Sequence, residues 1–204
     1  MFDSNQDIQV FPNLPQEHSK HMEMFLPYYL NPVPINVKRV HPLAQMPIKG
    51  DIDKEDIIEL CKFYNMPPFL ANVGYDIYAV PDEDWRCTSP DSNRDPYYVL
   101  NPGQSKTFST GIKVATPPQY GFLLRDRSGM GVKDITHTAG VIEGTYRGEW
   151  KVHLINLTYQ PREITLKKAI VQAVLTFIIP SIVEEVDELP QTRRGSGGFG
   201  SSGR

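Results

Sequence analysis

Apolar and polar positions alternate in short runs along most of the chain, and turn residues separate the runs. The period of two first shows in Ile35-Asn-Val-Lys-Arg-Val40, which predicts a strand with one buried face. From Asp53 the period changes. Ile57, Leu60, Cys61 and Tyr64 recur at i, i+3, i+4 and i+7, Asp53 offers an N-cap oxygen, and Pro67-Pro68 stops the run. One short helix over 53–64 is the expectation. Beyond it the pattern predicts strands at Tyr75–Val80, Tyr97–Leu100, Ser105–Phe108, Gly111–Val114, Phe122–Arg125, Gly140–Ile142, Trp150–Asn156, Arg162–Leu166, Val171–Phe177 and Ile182–Glu185. Asn101-Pro-Gly, Thr116-Pro-Pro-Gln and Gln160-Pro-Arg supply turns between them. Many short strands at this spacing predict an all-β sandwich or barrel.

Three stretches fall outside that pattern. Residues 1–34 are polar and punctuated by proline, and read as an N-terminal extension; its cluster Met22, Met24, Phe25, Leu26, Tyr28 and Tyr29 is a candidate to dock on the core. Residues 81–96 form a long polar stretch, expected as a surface loop. Residues 193–204, RRGSGGFGSSGR, hold too little apolar surface to pack alone. The expected organisation is therefore an extension (1–34), a β domain (35–192) with a helical insertion near 53–64 and a loop at 81–96, and a flexible Gly-rich tail (193–204).

Composition narrows the partners. The 204 residues are 40% hydrophobic and 22% charged, enough for one sizeable core. A net charge of −3 argues against a nucleic-acid partner and a polybasic membrane anchor. No apolar run approaches the roughly 18 residues that span a bilayer. The start MFDSNQDIQVF lacks a cationic leader, so a cytoplasmic location is expected. Cys61 and Cys87 make neither a disulfide framework nor a zinc site.

Five segments carry candidate chemistry. Arg194–Gly203 has five glycines, three serines, Phe199 and a flanking arginine. Successive glycines let backbone N–H groups converge on an anion, hydroxyls add donors, and an arginine grips phosphate through two hydrogen bonds. The plainer reading is a low-complexity tail. Gly-Lys-Ser/Thr is absent, so a Walker-A loop is excluded. Arg127-Ser128-Gly129 is a second anion-binding candidate, or an ordinary surface turn. Ala139–Gly148 reads as a hairpin that presents the Glu143 carboxylate beside a glycine turn and Tyr146, or as a solvated tip. Asp76 is the one acid in its strand-like run. Gln172 sits in an apolar strand and needs hydrogen-bond partners if buried.

Taken in chain order, the segments resemble the motifs of the trimeric dUTP diphosphatase (dUTPase) family. The matches are Gly74-Tyr-Asp76-Ile-Tyr-Ala79; Arg127-Ser128-Gly129; Ala139-Gly140-Val141-Ile142-Glu143 with Tyr146-Arg-Gly148; Ile170-Val-Gln172-Ala-Val174; and Arg194–Gly203. Asn101-Pro-Gly and Thr110-Gly-Ile-Lys113 match the family's scaffold, and the resemblance spans residues 35–204. It implies a jelly-roll-like β fold, a homotrimer with each site shared between subunits, and hydrolysis of dUTP to dUMP and pyrophosphate. That reaction keeps uracil out of DNA and supplies dUMP for thymidylate synthesis. It also implies Mg²⁺ held mainly by phosphates and water, with Asp76 in the outer shell. By the same resemblance Arg127, Ser128, Gly129 and Gln172 hold phosphates, and the Gly140–Lys151 hairpin takes the nucleoside. Uracil is read by hairpin backbone groups, with His137, Gly140, Val141, Ile142 and Lys151 at matching positions. Glu143 activates water, Tyr146 stacks beneath the deoxyribose, and Phe199 stacks on uracil. Arg194 binds the terminal phosphate, and Gly200, Ser201 and Ser202 close over the nucleotide.

The chain departs from the family pattern at several places. Glu143 stands where aspartate is usual, Asp126 replaces a proline before Arg127, and the segment from Lys133 to Ala139 is about one residue short. His137-Thr138-Ala139-Gly140 also resembles the dCTP deaminases, but their catalytic glutamate would fall at His153 and they lack such a tail. The added segments and Glu143 leave a third reading, a nucleotide-gated binding module.

Overall fold

The computed structural model describes residues 33–49, 59, 63, 73–86, 93–193 and 195–196. The expected docking cluster at 22–29, both cysteines, Arg194, Phe199, Gly200, Ser201 and Ser202 lie outside them. Of the expected helix only Glu59 and Phe63 are described, and both are helical.

Short strands dominate. They are β1 (Asn36–Arg39), β2 (Ile48–Lys49), β3 (Gly74–Tyr78), β4 (Tyr97–Leu100), β5 (Ser105–Ser109), β6 (Ile112–Ala115), β7 (Tyr120–Arg125), β8 (Ile135–His137), β9 (Val141–Ile142), β10 (Lys151–Asn156), β11 (Arg162–Thr165) and β12 (Ala169–Phe177). A single helical turn, α1 (Ser128–Gly131), follows β7. The largest sheet runs β2-β3-β12-β7-β9; the others are β5-β10-β8, β1-β6 and β11-β4. All pairings are antiparallel.

Alternation became burial where it was strict. In β10 the side chains of Val152, Leu154 and Asn156 are buried while Lys151 faces solvent. β12 is more continuously apolar because it lies inside the sheet, between β3 and β7. The core gathers Ile77, Leu100, Phe108, Ile112, Leu124, Leu154 and Val171. Phe108 takes Trp85 and Tyr98 edge-on, at centroid distances of 6.2 and 5.5 Å. Asn156 is buried without cost in hydrogen bonding: its amide donates to Leu100 O and Gln160 O (2.9 and 2.8 Å), and its Oδ1 accepts from Thr158. Among the described residues no helix is long and apolar enough to cross a membrane.

Three expectations are corrected. Ile182–Glu185 is not a strand: residues 178–193 carry no regular pairing and are exposed throughout, because no sheet edge of this chain receives them. The 81–96 stretch is not wholly a surface excursion, since Trp85 is buried against Phe108 and Arg86 bridges to Tyr97. The Gly140–Lys151 segment is not a hairpin. Its first arm, β9, pairs with β7, and its second, β10, pairs with β5 and β8, so the segment crosses between two sheets. Burial of Trp150 at the crossing anchors the change of sheet, with Trp150 N donating to Ile112 O at 2.9 Å.

Candidate active site

Adjacent strands bring three of the candidate residues together. On β12, Gln172 is directly opposite Asp76 of β3 and, on its other side, Arg125 of β7. Two residues past Arg125, Arg127 reaches back to Asp76. Its Nε lies 2.8 Å from Oδ1 and its Nη2 donates to Oδ2 at 3.0 Å, a two-pronged ion pair. The Asp76 side chain is 15% exposed and that of Arg127 39%, so the pair is half-buried. Gln172 Nε2 donates to the carbonyl of Asp126 at 3.0 Å. Gly74 makes room for that amide: a Cβ there would stand 2.6 Å from Gln172 Oε1 and 2.9 Å from its Cβ.

A cleft of about 330 Å³ opens over this pair, lined by Asp76, Tyr78, Arg127, Gly129, Met130, Lys133, Lys167, Lys168 and Ala169. Four cations face one carboxylate in that lining, a setting suited to a polyanion. A second cavity of about 300 Å³ shares Met130, Lys133, Lys168 and Ala169 with it. Lys133 and Lys168 have no ion-pair partner among the described residues, while Lys167 pairs with Asp95 at 2.6 Å. Burial foremost, and then the Asp76 charge, push the Tyr78 hydroxyl up against the lowering effect of Arg127; it stays protonated and able to donate. The three lysines were missed by sequence reasoning. No spacing signals them, since only the fold brings residue 133 beside 167 and 168.

Ser128 and Gly129 open the turn α1 and are exposed. Asp126 does not present a free charge to the cleft. Its carboxylate accepts from His137 Nδ1 (2.6 Å), His137 N (3.1 Å) and Thr136 Oγ1 (2.7 Å). Partial burial alone would raise this carboxyl, but those three donors outweigh it and hold Asp126 below the usual carboxylate value.

The remaining candidates gather elsewhere on the strand. Val141 pairs with Leu123 and Ile142 with Phe122, and β9 forms the edge of the five-stranded sheet. Its outer backbone groups therefore have no neighbouring strand. Glu143 follows, exposed, with its carboxylate unpartnered among the described residues. Tyr146 N donates to Glu143 O at 3.0 Å, closing a turn, and Tyr146 Oη donates to Glu149 O at 3.1 Å. The Tyr146 ring lies over Gly148, where a Cβ would collide with it. Lys151 is exposed at the start of β10. His153 Nδ1 is 2.7 Å from Thr107 Oγ1.

The donor set bears on a metal. Among the described residues no group of three or more His, Cys, Asp or Glu is placed to hold an ion. Asp76 is the one acid lining the cleft, with both oxygens already taken by Arg127. Among the described residues, these groups fit only an ion whose ligands come mainly from elsewhere, with Asp76 as the acid at hand.

Known proteins agree with this architecture. A family model described as dUTPase matches residues 93–203. The deoxyuridine 5'-triphosphate nucleotidohydrolase of Trichodesmium erythraeum is 31% identical over 159 residues, covering 76% of this chain and 99% of its own. That of Bdellovibrio bacteriovorus is 40% identical over 109 residues, 52% of this chain and 73% of its own. Among solved structures, Staphylococcus bacteriophage 80alpha dUTPase with dUpNHpp superposes with a TM-score of 0.59 at 21% identity, over 84% of this chain and 99% of that one. A dUTPase variant from phage phi11 of S. aureus, described with a structural Mg(II) ion, gives 0.56 at 18%, over 78% and 99%. The fold is thus of the jelly-roll type. With the family model covering more than half of it, and a relative above 30% identity covering three quarters, the chain belongs to the dUTPase family.

Proposed function

We propose that this protein hydrolyses dUTP to dUMP and pyrophosphate, acting as a homotrimer whose sites are shared between protomers. One observation carries the shared site. Glu143 lies one residue beyond the partner of Phe122, and Arg127 two residues beyond Arg125. At ~3.3 Å per residue they are on the order of 20 Å apart along β7. The Arg127 fork turns back to Asp76, level with Arg125, which still leaves about four residues, roughly 13 Å, to the level of Glu143; residues of a second copy would close that gap. The exposed stretch after β12 supports assembly as well. Ile182 and Val183 are 87% and 97% exposed, an apolar run that a lone protomer leaves in water. Residues 193–204 would then close over the nucleotide, their arginines and backbone N–H groups meeting its phosphates.

The chemistry follows from the residues. Asp76 neutralises Arg127 and fixes its fork. A triphosphate, with about four negative charges, is the stronger partner for that fork, and its arrival frees Asp76 to accept from water. Asp76 would hold Mg²⁺ through such water, and the bound ion supplies partial neutralisation of the phosphate charge. Lys133 and Lys168 add to the field at the cleft. Glu143 takes a proton from the water that attacks the α-phosphorus; the bond to the bridging oxygen breaks and pyrophosphate leaves. Tyr146, pinned by Glu149 O and seated on Gly148, forms a fixed floor under deoxyribose with no space for a 2′-hydroxyl. The free edge of β9 matches uracil's donors and acceptors. Cytosine reverses them, at about 1–3 kcal/mol for each buried group left unpaired.

Released pyrophosphate, measured with Mg²⁺ on dUTP, dCTP, dTTP and UTP, tests the reaction: dUTP alone turns over well. Ammonia release from dCTP would instead establish a deaminase, and tight dUTP binding without turnover a binding module. Light scattering should give about 69 kDa, three times the 23.1 kDa chain. A monomer would overturn the shared site.

A further inference from the structure

We propose that Asp126 is a positioning residue that ties the phosphate-binding end of the site to its base-reading strand, acting through His137; this rests on the reading of β9 as the edge that meets uracil. Asp126 joins three segments. Its carbonyl accepts from Gln172 Nε2 at 3.0 Å, and its chain neighbour Arg127 pairs with Asp76. Its carboxylate takes both the ring Nδ1 and the backbone N of His137, and Thr136 Oγ1 besides. On the other side of the imidazole is Gly140. A Cβ on Gly140 would stand 3.0 Å from His137 Nε2 and 3.4 Å from its Cδ2, while Gly140 O accepts from Leu124 N at 2.7 Å. Gly140 is thus wedged between the imidazole and β7, and it leads directly into β9.

An ionised carboxylate can only accept. For the neutral ring Asp126 therefore favours the tautomer with its proton on Nδ1 and Nε2 bare toward Gly140. Without the carboxylate the ring turns freely, and the edge of β9 loses the support that sets its angle to the base. The Gln172 bond goes to a backbone carbonyl and the Arg127 pair to Asp76, so both survive loss of the Asp126 side chain. Base recognition and phosphate binding are separable at this residue.

Asp126→Ala should raise KM for dUTP about tenfold, leave kcat within about twofold, and lower the preference for dUTP over dCTP. Asp126→Asn, whose Oδ1 still accepts from Nδ1–H, should restore KM to within about twofold of the wild type. Nitrogen NMR of His137 at alkaline pH should show the Nδ1–H tautomer in the wild type and Asp126→Asn, and exchange between both tautomers in Asp126→Ala. A wild-type ring carrying its proton on Nε2 overturns the proposal with no variant needed. So does Asp126→Ala with unaltered KM and selectivity, or Asp126→Asn no better than alanine. Absence of dUTP turnover in the wild type would defeat the proposed function instead, and the tautomer would still report on the His137 contact.

Discussion

Strand β7 carries the two halves of the proposed site at its opposite ends, and they are built on different principles. Past Arg125, Asp76, Arg127, Gln172 and the Asp126 carbonyl satisfy one another within the chain. Near Phe122 the Glu143 carboxylate has no partner among the described residues, and β9 has an unpaired edge. The first half is preorganised by the sheet that folds it. On the proposed reading, the second is left unsatisfied because its partners are the nucleotide and another protomer. Substitutions should therefore act on stability at one end and on turnover at the other.

Glu143→Gln gives the sharpest contrast. With no side-chain hydrogen bond or ion pair to lose among the described residues, it should leave the melting temperature and nucleotide affinity nearly unchanged and cut kcat by about 10²-fold or more. Unchanged pyrophosphate release would remove Glu143 from the mechanism. Arg127→Ala comes next and should hurt both properties. It strands a half-buried Asp76, costing about 1–3 kcal/mol in urea unfolding, and it raises KM by weakening phosphate binding. Gly74→Ala tests the preorganised end without touching a charge. The new Cβ meets the Gln172 amide, so a loss of about 1–2 kcal/mol is expected, with Gln172 displaced from the Asp126 carbonyl. A neutral result would mean that the amide is free to move aside.

The smallest effect is a pH dependence. The folded pKa of Asp126 lies below its unfolded value of 3.8, so its hydrogen bonds stabilise the fold above that value and the benefit fades as pH falls through the folded pKa. The group is partly exposed, which limits the effect to a few tenths up to about 1 kcal/mol. Wild type should exceed Asp126→Asn in stability above pH 4, and the gap should close in stronger acid. A gap constant with pH would assign it to packing.

Much of this was legible in the sequence for definite reasons. β10 and β12 were readable because strict alternation or a continuous apolar run has one burial outcome in a sheet. β2 and β8 were not, as two or three residues are too few to show a period. Ile182–Glu185 has the composition of a strand, yet composition does not supply a partner, and it pairs with none of the sheet edges among the described residues. Trp85 was hidden because a single apolar residue in a polar loop has no periodicity at all. In the site, the Gly-Tyr-Asp and Arg-Ser-Gly segments were visible as motifs. Their ion pair was not, for it joins residues 51 apart. Lys167 gave no warning either; it adopts a left-handed backbone with φ 67°, which glycine usually supplies.

The division of β7 between two protomers is tested most directly by mixing. Arg127→Ala and Glu143→Gln, assayed at a dUTP concentration where each alone turns over far below the wild type, are unfolded together at equal amounts and reassembled. If every site takes Arg127 from one chain and Glu143 from another, about a quarter of the sites in randomly mixed trimers regain both residues, and that fraction of wild-type turnover should return. If both residues serve the same site from the same chain, no mixture contains an intact site, and activity stays at the level of the separate variants.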